Sequence, residues 1–267
     1  MKQIIPIIII TFTVALGCAN AQERLFFTEK PYERVTTDIQ GIVYLTDYSS
    51  LDSYTPDGRL LRNYSEQTAG NITFVDAGIA SKILVFYRES GSIILLNNEL
   101  APIGSPLNLF DRSLTTVSLA AMGSSNKIVL YDDANQNLIL TDLSLNLQSQ
   151  SRITFPGEFH ASDMQVVPEH RIALLDTAQG ICLFDFFGTF EREIPIPGIT
   201  HMQLTKERIF YLRDGQLWRY ELPSSTTPLN LQPIALDLPE ILDFHIGKDV
   251  LYYIDTQHIV WKIPLDM

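Results

Sequence analysis

The most regular feature of the chain is a short apolar run that ends in polar residues and then recurs. Ile42-Val43-Tyr44-Leu45-Thr46-Asp47 is the first, and Ile83-Leu84-Val85-Phe86-Tyr87-Arg88 the second. Ile128-Val129-Leu130-Tyr131-Asp132-Asp133 and Ile172-Ala173-Leu174-Leu175-Asp176-Thr177 follow. Ile209-Phe210-Tyr211-Leu212-Arg213-Asp214 and Leu251-Tyr252-Tyr253-Ile254-Asp255-Thr256 complete the series. Their starts lie 41, 45, 44, 37 and 42 residues apart. Each is rich in β-branched and aromatic residues and bounded by turn formers, the pattern of a buried strand.

A second strand follows each run at an offset of 8 to 10 residues: Leu51–Tyr54, Ile93–Leu96, Leu138–Thr141, Ile181–Phe184, Leu217–Tyr220 and Ile259–Lys262. That spacing predicts tight antiparallel hairpins. Ser90-Gly91, Asn135-Gln136-Asn137, Gln179-Gly180 and Asp214-Gly215 occupy the turns, where residues that tolerate positive φ are favoured. A further hairpin reads from Tyr54 to Arg62 and again from Phe184 to Arg192, with an aromatic, a glycine, an apolar residue and an arginine at matching offsets. Upstream of the runs, Ile72–Val75, Val117–Ala120, Met164–Val167, Met202–Leu204 and Leu242–Ile246 read as additional short strands.

Four strands in each unit of about 40 residues describe a propeller blade. The pattern predicts an all-β, six-bladed β-propeller of four-stranded antiparallel blades over residues 22–267. No 3.6-residue period runs through a long window, which excludes a helical solenoid. The last blade ends one strand short. Leu25-Phe26-Phe27-Thr28 is a spare strand, expected to close that blade as its outermost member and remove an unpaired edge. The blade length and the Gly-centred hairpins resemble six-bladed propellers of the NHL and TolB-like type. A leader followed by one degenerate propeller is similar to uncharacterised envelope propellers of Bacteroidota. No functional residue is carried over from that resemblance.

Residues 1–21 read as a signal peptide. Lys2 supplies a positive start and Ile4 to Leu16 an apolar stretch too short for a relaxed membrane span. Two processing sites compete. Ala19-Asn20-Ala21 is an ordinary A-x-A site, whereas Ala15-Leu16-Gly17-Cys18 resembles a lipobox in which Cys18 becomes a lipid anchor. The address is therefore the periplasm or outer membrane of a Gram-negative bacterium, with membrane contact only through that anchor. Cys182 is the other cysteine, so no intramolecular disulfide survives processing, and its apolar surroundings predict a buried thiol.

The net charge of −12, with 19 basic residues scattered among 31 acidic ones, argues against nucleic-acid binding. The sequence has no G-x-S-x-G, H-E-x-x-H, C-x-x-C, Walker A or G-x-G-x-x-G pattern. No cofactor is implied. Histidine alone has a suggestive distribution: His160, His201 and His245 lie in or before the innermost strands of blades 4, 5 and 6, with Asp163 and Asp243 in the same register. Innermost strands line the central channel, so these five residues are the candidates for a ligand or metal site there. The competing expectation is that alternate residues turn away and the histidines never meet. Function follows as two hypotheses. One is a non-catalytic protein-binding or scaffolding propeller whose partner is another envelope protein or membrane complex, as an accessory to outer-membrane assembly or secretion. The alternative is a lactonase- or lyase-like enzyme with its site in the channel, or a small-molecule or glycan sensor.

Overall fold

A computed structural model describes residues 23–26, 30–79, 81–153, 157–222, 231–233 and 240–265. The expected processing sites, Cys18 included, and Phe27 and Thr28 of the expected closing strand lie outside the described residues.

The strands group into six four-stranded antiparallel sheets arranged as a β-propeller. Blade 1 runs outward through Arg34–Thr37, Val43–Thr46, Leu51–Tyr54 and Leu60–Tyr64. Blade 2 is Phe74–Asp76, Ile83–Tyr87, Ser92–Leu96 and Leu107–Asn108; blade 3 is Val117–Met122, Lys127–Asp132, Asn137–Asp142 and Leu147–Arg152. Blade 4 is Asp163–Val167, Arg171–Asp176, Gly180–Asp185 and Phe190–Ile194; blade 5 is Ile199–Leu204, Arg208–Arg213, Gln216–Glu221 and Leu231–Pro233. Blade 6 contains Ile241–Gly247, Val250–Asp255 and Val260–Pro264, and Glu23–Phe26 pairs antiparallel with the last of these. The N-terminal strand therefore closes the ring. Among the described residues no helix is long and apolar enough to cross a membrane.

Each apolar run is continuous because a blade is covered on both faces. In blade 2, Ile83, Val85 and Tyr87 pack toward blade 1, while Leu84 and Phe86 pack toward blade 3. Blade 4 repeats the arrangement, with Ile172 and Leu174 against blade 3 and Ala173 and Leu175 against blade 5. The core is thus six wedges, one at each blade interface, and the wedge between blades 6 and 1 joins Ile254 and Val260 to Val35, Val43 and Leu45. Each fully buried aliphatic or aromatic side chain contributes about 1.5–3 kcal/mol relative to exposure.

One turn recurs around the ring. An Asx carboxyl or amide oxygen accepts the backbone N–H groups two and four residues ahead, at Asp38, Asn97, Asp142, Asp185 and Asp255. The fourth residue of the turn has positive φ in every case: Gly41, Leu100, Leu145, Gly188 and His258. Glycine is free in that region; leucine and histidine are held there by the oxygen and the flanking ladders.

Two details differ from the pattern reading. The inner strand of blade 2 is Phe74–Asp76 rather than Ile72–Val75, because the Ile72 amide leaves the blade and donates to the Tyr48 carbonyl at 2.6 Å. Blade 1 has an inner strand, Arg34–Thr37, whose polar sequence carries no apolar run.

A candidate site in the central channel

The inner strands of the blades surround two cavities, of about 200 and 630 Å³, which share Thr36, Phe74, Val75, Gln165, Gln203 and His245 in their walls. They are the two ends of one channel.

Asp163, His201 and Asp243 stand opposite Leu175, Leu212 and Ile254, the fourth residue of the apolar run in blades 4, 5 and 6 respectively. Equal register on consecutive blades puts the three side chains at one height. His201 and Asp243 each follow a register shift in their strand, the kind of irregularity that re-aims a side chain. His201 Nδ1 lies 3.0 Å from Asp163 Oδ2, and Nε2 lies 3.1 Å from Asp243 Oδ1. The Phe244 ring meets the imidazole edge-on, with centroids 5.3 Å apart.

Both carboxylates also bridge blades. Asp243 Oδ2 accepts the Val35 amide of blade 1 at 2.7 Å, and Asp163 Oδ2 accepts the Met202 amide of blade 5 at 3.4 Å. The Met164 amide donates to Asp163 Oδ1 at 2.8 Å. Arg34 completes the group, with Nη1 3.4 Å from Asp243 Oδ1 and 3.1 Å from His201 Nδ1.

Placed between two carboxylates, His201 is assigned as the imidazolium, with both ring N–H groups donating. The Arg34 contact is then between two cations, held together by two anions. Burial works against the charge of His201, but Asp243 and Asp163 outweigh it and its pKa is raised. Burial likewise opposes the Asp163 carboxylate; His201 and Arg34 outweigh it, and its pKa is lowered. Desolvation opposes the charge of Arg34, whose side chain is 45% exposed; Asp243 and Asp163 outweigh it and raise its pKa.

His245 lies one step along the same strand face and stays neutral: desolvation, then the charge of His201, push its pKa down to about 3. Its Nε2 lies 3.3 Å from Gln203 Nε2, and its Nδ1 lies 3.5 Å from Thr36 Oγ1. Gln203 is a clamp between blades 5 and 6: its amide donates to the Ile246 carbonyl at 2.8 Å and accepts the Ile246 amide at 2.6 Å.

Of the five sequence candidates, Asp163, His201 and Asp243 touch, and His245 shares their cavity. His160 stands apart. It is 61% exposed, pairs with Asp133 at 3.1 Å and Glu158 at 3.4 Å, and lines neither cavity. Its backbone amide is drawn to Asp176 Oδ2 within its own blade, at 2.7 Å. Sequence reasoning missed Arg34 and Gln203. Arg34 sits on the polar inner strand of blade 1, whose alternation eight residues before the first apolar run was the available signal.

The donor set does not suit a cation. Both nitrogens of His201 face carboxylates, and the imidazolium assigned there has no lone pair to offer. Among the described residues no group of three or more His, Cys, Asp or Glu side chains could hold a metal ion. Cys182 is buried, its thiol pushed up to about 12 chiefly by desolvation.

No family model matches the chain, and no curated protein matches it. Solved structures do. A catalytically inactive variant of virginiamycin B lyase from Staphylococcus aureus with quinupristin is 12% identical, with TM-score 0.60 over 92% of this chain and 99% of that one. U3-55K is 10% identical, with TM-score 0.62 over 92% of this chain and 99% of that one. A chain of the mitotic checkpoint complex is 14% identical, with TM-score 0.61 over 90% of this chain and 77% of that one. One of these proteins is a lyase and another belongs to a multi-protein assembly; at such identities the likeness is one of fold, and it establishes this chain as a β-propeller.

Proposed function

We propose that this chain is an exported, non-catalytic protein-binding propeller of a Gram-negative envelope. Its partner is another envelope protein or membrane complex, in outer-membrane assembly or secretion. The observation that carries the reading is a set of exposed apolar side chains on the neighbouring outer edges of blades 3 and 4. Leu147 is 61%, Phe187 56% and Phe190 45% exposed. The Phe187 ring meets that of Phe186 at a 36° tilt with centroids 4.0 Å apart, and the Phe187 carbonyl accepts the Ser149 hydroxyl of blade 3 at 3.2 Å. Large exposed aromatics gathered on a rigid surface are characteristic of protein contact sites. The leader-like residues 1–21, ending at Ala21 or before Cys18, support export.

The second reading, a lactonase- or lyase-like reaction in the channel, rests on the buried Asp163–His201–Asp243 group. A general base needs a free imidazole nitrogen, and the paired carboxylates oppose deprotonation of His201. The group therefore favours the non-catalytic reading.

Photo-crosslinking residues placed at positions 147 and 187 in the native host test the proposal. The expected result is one discrete adduct with an envelope protein from both sites and none from position 248, on blade 6. Absence of any adduct from 147 and 187, or equal labelling from 248, contradicts it. Intact mass of the native protein tests export: it begins at an acylated Cys18 or at Gln22, and a mass retaining the leader contradicts the address.

A further inference from the structure

The smaller channel cavity carries polar groups that the fold does not use. Ser118, on the inner strand of blade 3, is only 4% exposed and lines that cavity, yet its hydroxyl has no hydrogen-bond partner among the described residues. A buried hydroxyl left this way is a standing cost unless something in the cavity meets it. Arg88, an exposed residue at the end of the second strand of blade 2, also lines the cavity. Its backbone amide is fixed to Thr73 Oγ1 at 3.1 Å, and no described side chain pairs with its guanidinium. Arg34 lines the cavity too, with Nη1 on Asp243.

The charges sum simply. Arg34, Arg88 and protonated His201 give three positive charges, Asp163 and Asp243 two negative ones, and His245 is neutral. The cavity has one positive charge left over, on Arg88. A monoanion balances it, whereas a dianion such as phosphate meets repulsion from the two buried carboxylates. Phe74, Leu119 and Ala161 supply an apolar wall beside these groups. At about 200 Å³ the space is below the range of drug-sized pockets, about 300–1,000 Å³.

We propose that this end of the channel binds a small organic monocarboxylate. Its carboxylate is taken by Arg88 and Arg34, a hydroxyl or carbonyl group meets Ser118, and its short apolar or aromatic body lies against Phe74 and Leu119. Arginine suits this chemistry because its planar fork matches a carboxylate. The inference is independent of the protein partner, which engages the outer edges of blades 3 and 4.

The test is calorimetric titration and thermal melting of the protein with pyruvate, 3-hydroxybutyrate, benzoate and 4-hydroxybenzoate. Each is compared with its own amide and with inorganic phosphate at equal ionic strength. At least one carboxylate is expected to bind one-to-one and raise the melting temperature by roughly several degrees at a hundredfold excess over its Kd. Its amide and phosphate are expected to bind at least about tenfold more weakly, and Arg88→Gln to weaken the carboxylate by about tenfold or more. Ser118→Ala separates a binding role from a structural one: it raises the melting temperature of the free protein while weakening binding. The proposal is overturned if no carboxylate binds at millimolar concentration, if phosphate binds equally well, or if Arg88→Gln leaves affinity unchanged. It is also overturned if Ser118→Ala lowers the stability of the free protein, since the hydroxyl would then have a structural partner.

Discussion

Gln203 shows how one side chain can replace a stretch of sheet. Inner strands of neighbouring blades cannot form a ladder with one another, so the Ile246 amide and carbonyl would face the channel unpaired. The Gln203 amide supplies both partners, at 2.6 and 2.8 Å. Gln203→Ala leaves two backbone groups unsatisfied and is expected to cost about 2–4 kcal/mol in urea denaturation. A loss within the error of the measurement would mean that water satisfies Ile246 equally well. The two channel histidines make opposite demands on pH. His201 faces Asp163 of blade 4, Asp243 of blade 6 and Arg34 of blade 1, and its pKa is raised from 6.5. Its contribution is present below about pH 6.5 and is lost as the pH rises through the raised value. Asp163, lowered from 3.8, contributes above that value and loses its contribution as the pH falls through the lowered one. His245, pushed from 6.5 to about 3, contributes fully above about pH 6.5 and loses its contribution as the pH falls toward 3. Melting temperature against pH should therefore respond differently to His245→Gln, which flattens the acid limb between about pH 6.5 and 3, and His201→Gln, which flattens the alkaline limb. Parallel curves for the two variants contradict this assignment.

At the scale of the element, the strands divide by how they are covered, and so does their legibility in the sequence. The second strand of each blade is buried on both faces, as in Ile83–Tyr87 and Ile172–Leu175, as is the third in blades 1 to 4, and these apolar runs locate the blades within a residue or two. Outer strands have an open face and edge. Leu147–Arg152 is polar at nearly every position, and nothing in its composition separates it from a loop. The repeated Asx turn was the unread signal for these outer hairpins. An Asp or Asn three residues before a Gly or Leu with positive φ marks them at Asn97, Asp142 and Asp185 as clearly as the glycine does at Gly188. In the site, equal register made Asp163, His201 and Asp243 readable. His160 was misleading because it precedes its strand, where the chain still bends toward Asp176. Gly180 shows what a turn demands of one position. It has φ +117, and a Cβ there would lie 2.3 Å from the Ile194 carbonyl oxygen and 2.7 Å from the Ile196 nitrogen. Gly180→Ala should destabilise the protein by about 3 kcal/mol or more in equilibrium unfolding. A cost under about 1 kcal/mol would show that the blade 4 outer strand moves aside readily.

At the scale of the molecule, stability is distributed around a ring whose closure depends on sequence-distant segments. Glu23–Phe26 pairs with Val260, Trp261 and Lys262 of the last blade, and the Val35 amide of blade 1 donates to Asp243 of blade 6. A chain starting at residue 29 exposes the edge of Val260–Pro264, and its melting temperature is expected to fall by roughly 5 °C or more with increased self-association. An unchanged melting curve in a monomeric truncated protein would mean that the interface packing between blades 6 and 1 closes the ring unaided. Inside the ring, the Asp163–His201–Asp243–Arg34 quartet ties blades 4, 5, 6 and 1 together, and the same pairing withholds His201 from acid–base or metal chemistry. On the proposed reading, that single arrangement is what distinguishes a binding disc from an enzyme. It is read most directly by ¹⁵N NMR of the His201 ring nitrogens across pH. The account predicts that both nitrogens stay protonated at neutral pH, with the titration displaced to the alkaline side of an ordinary histidine. A neutral His201 at pH 7, with one nitrogen bearing a free lone pair, would contradict it and return the channel to the candidates for catalysis.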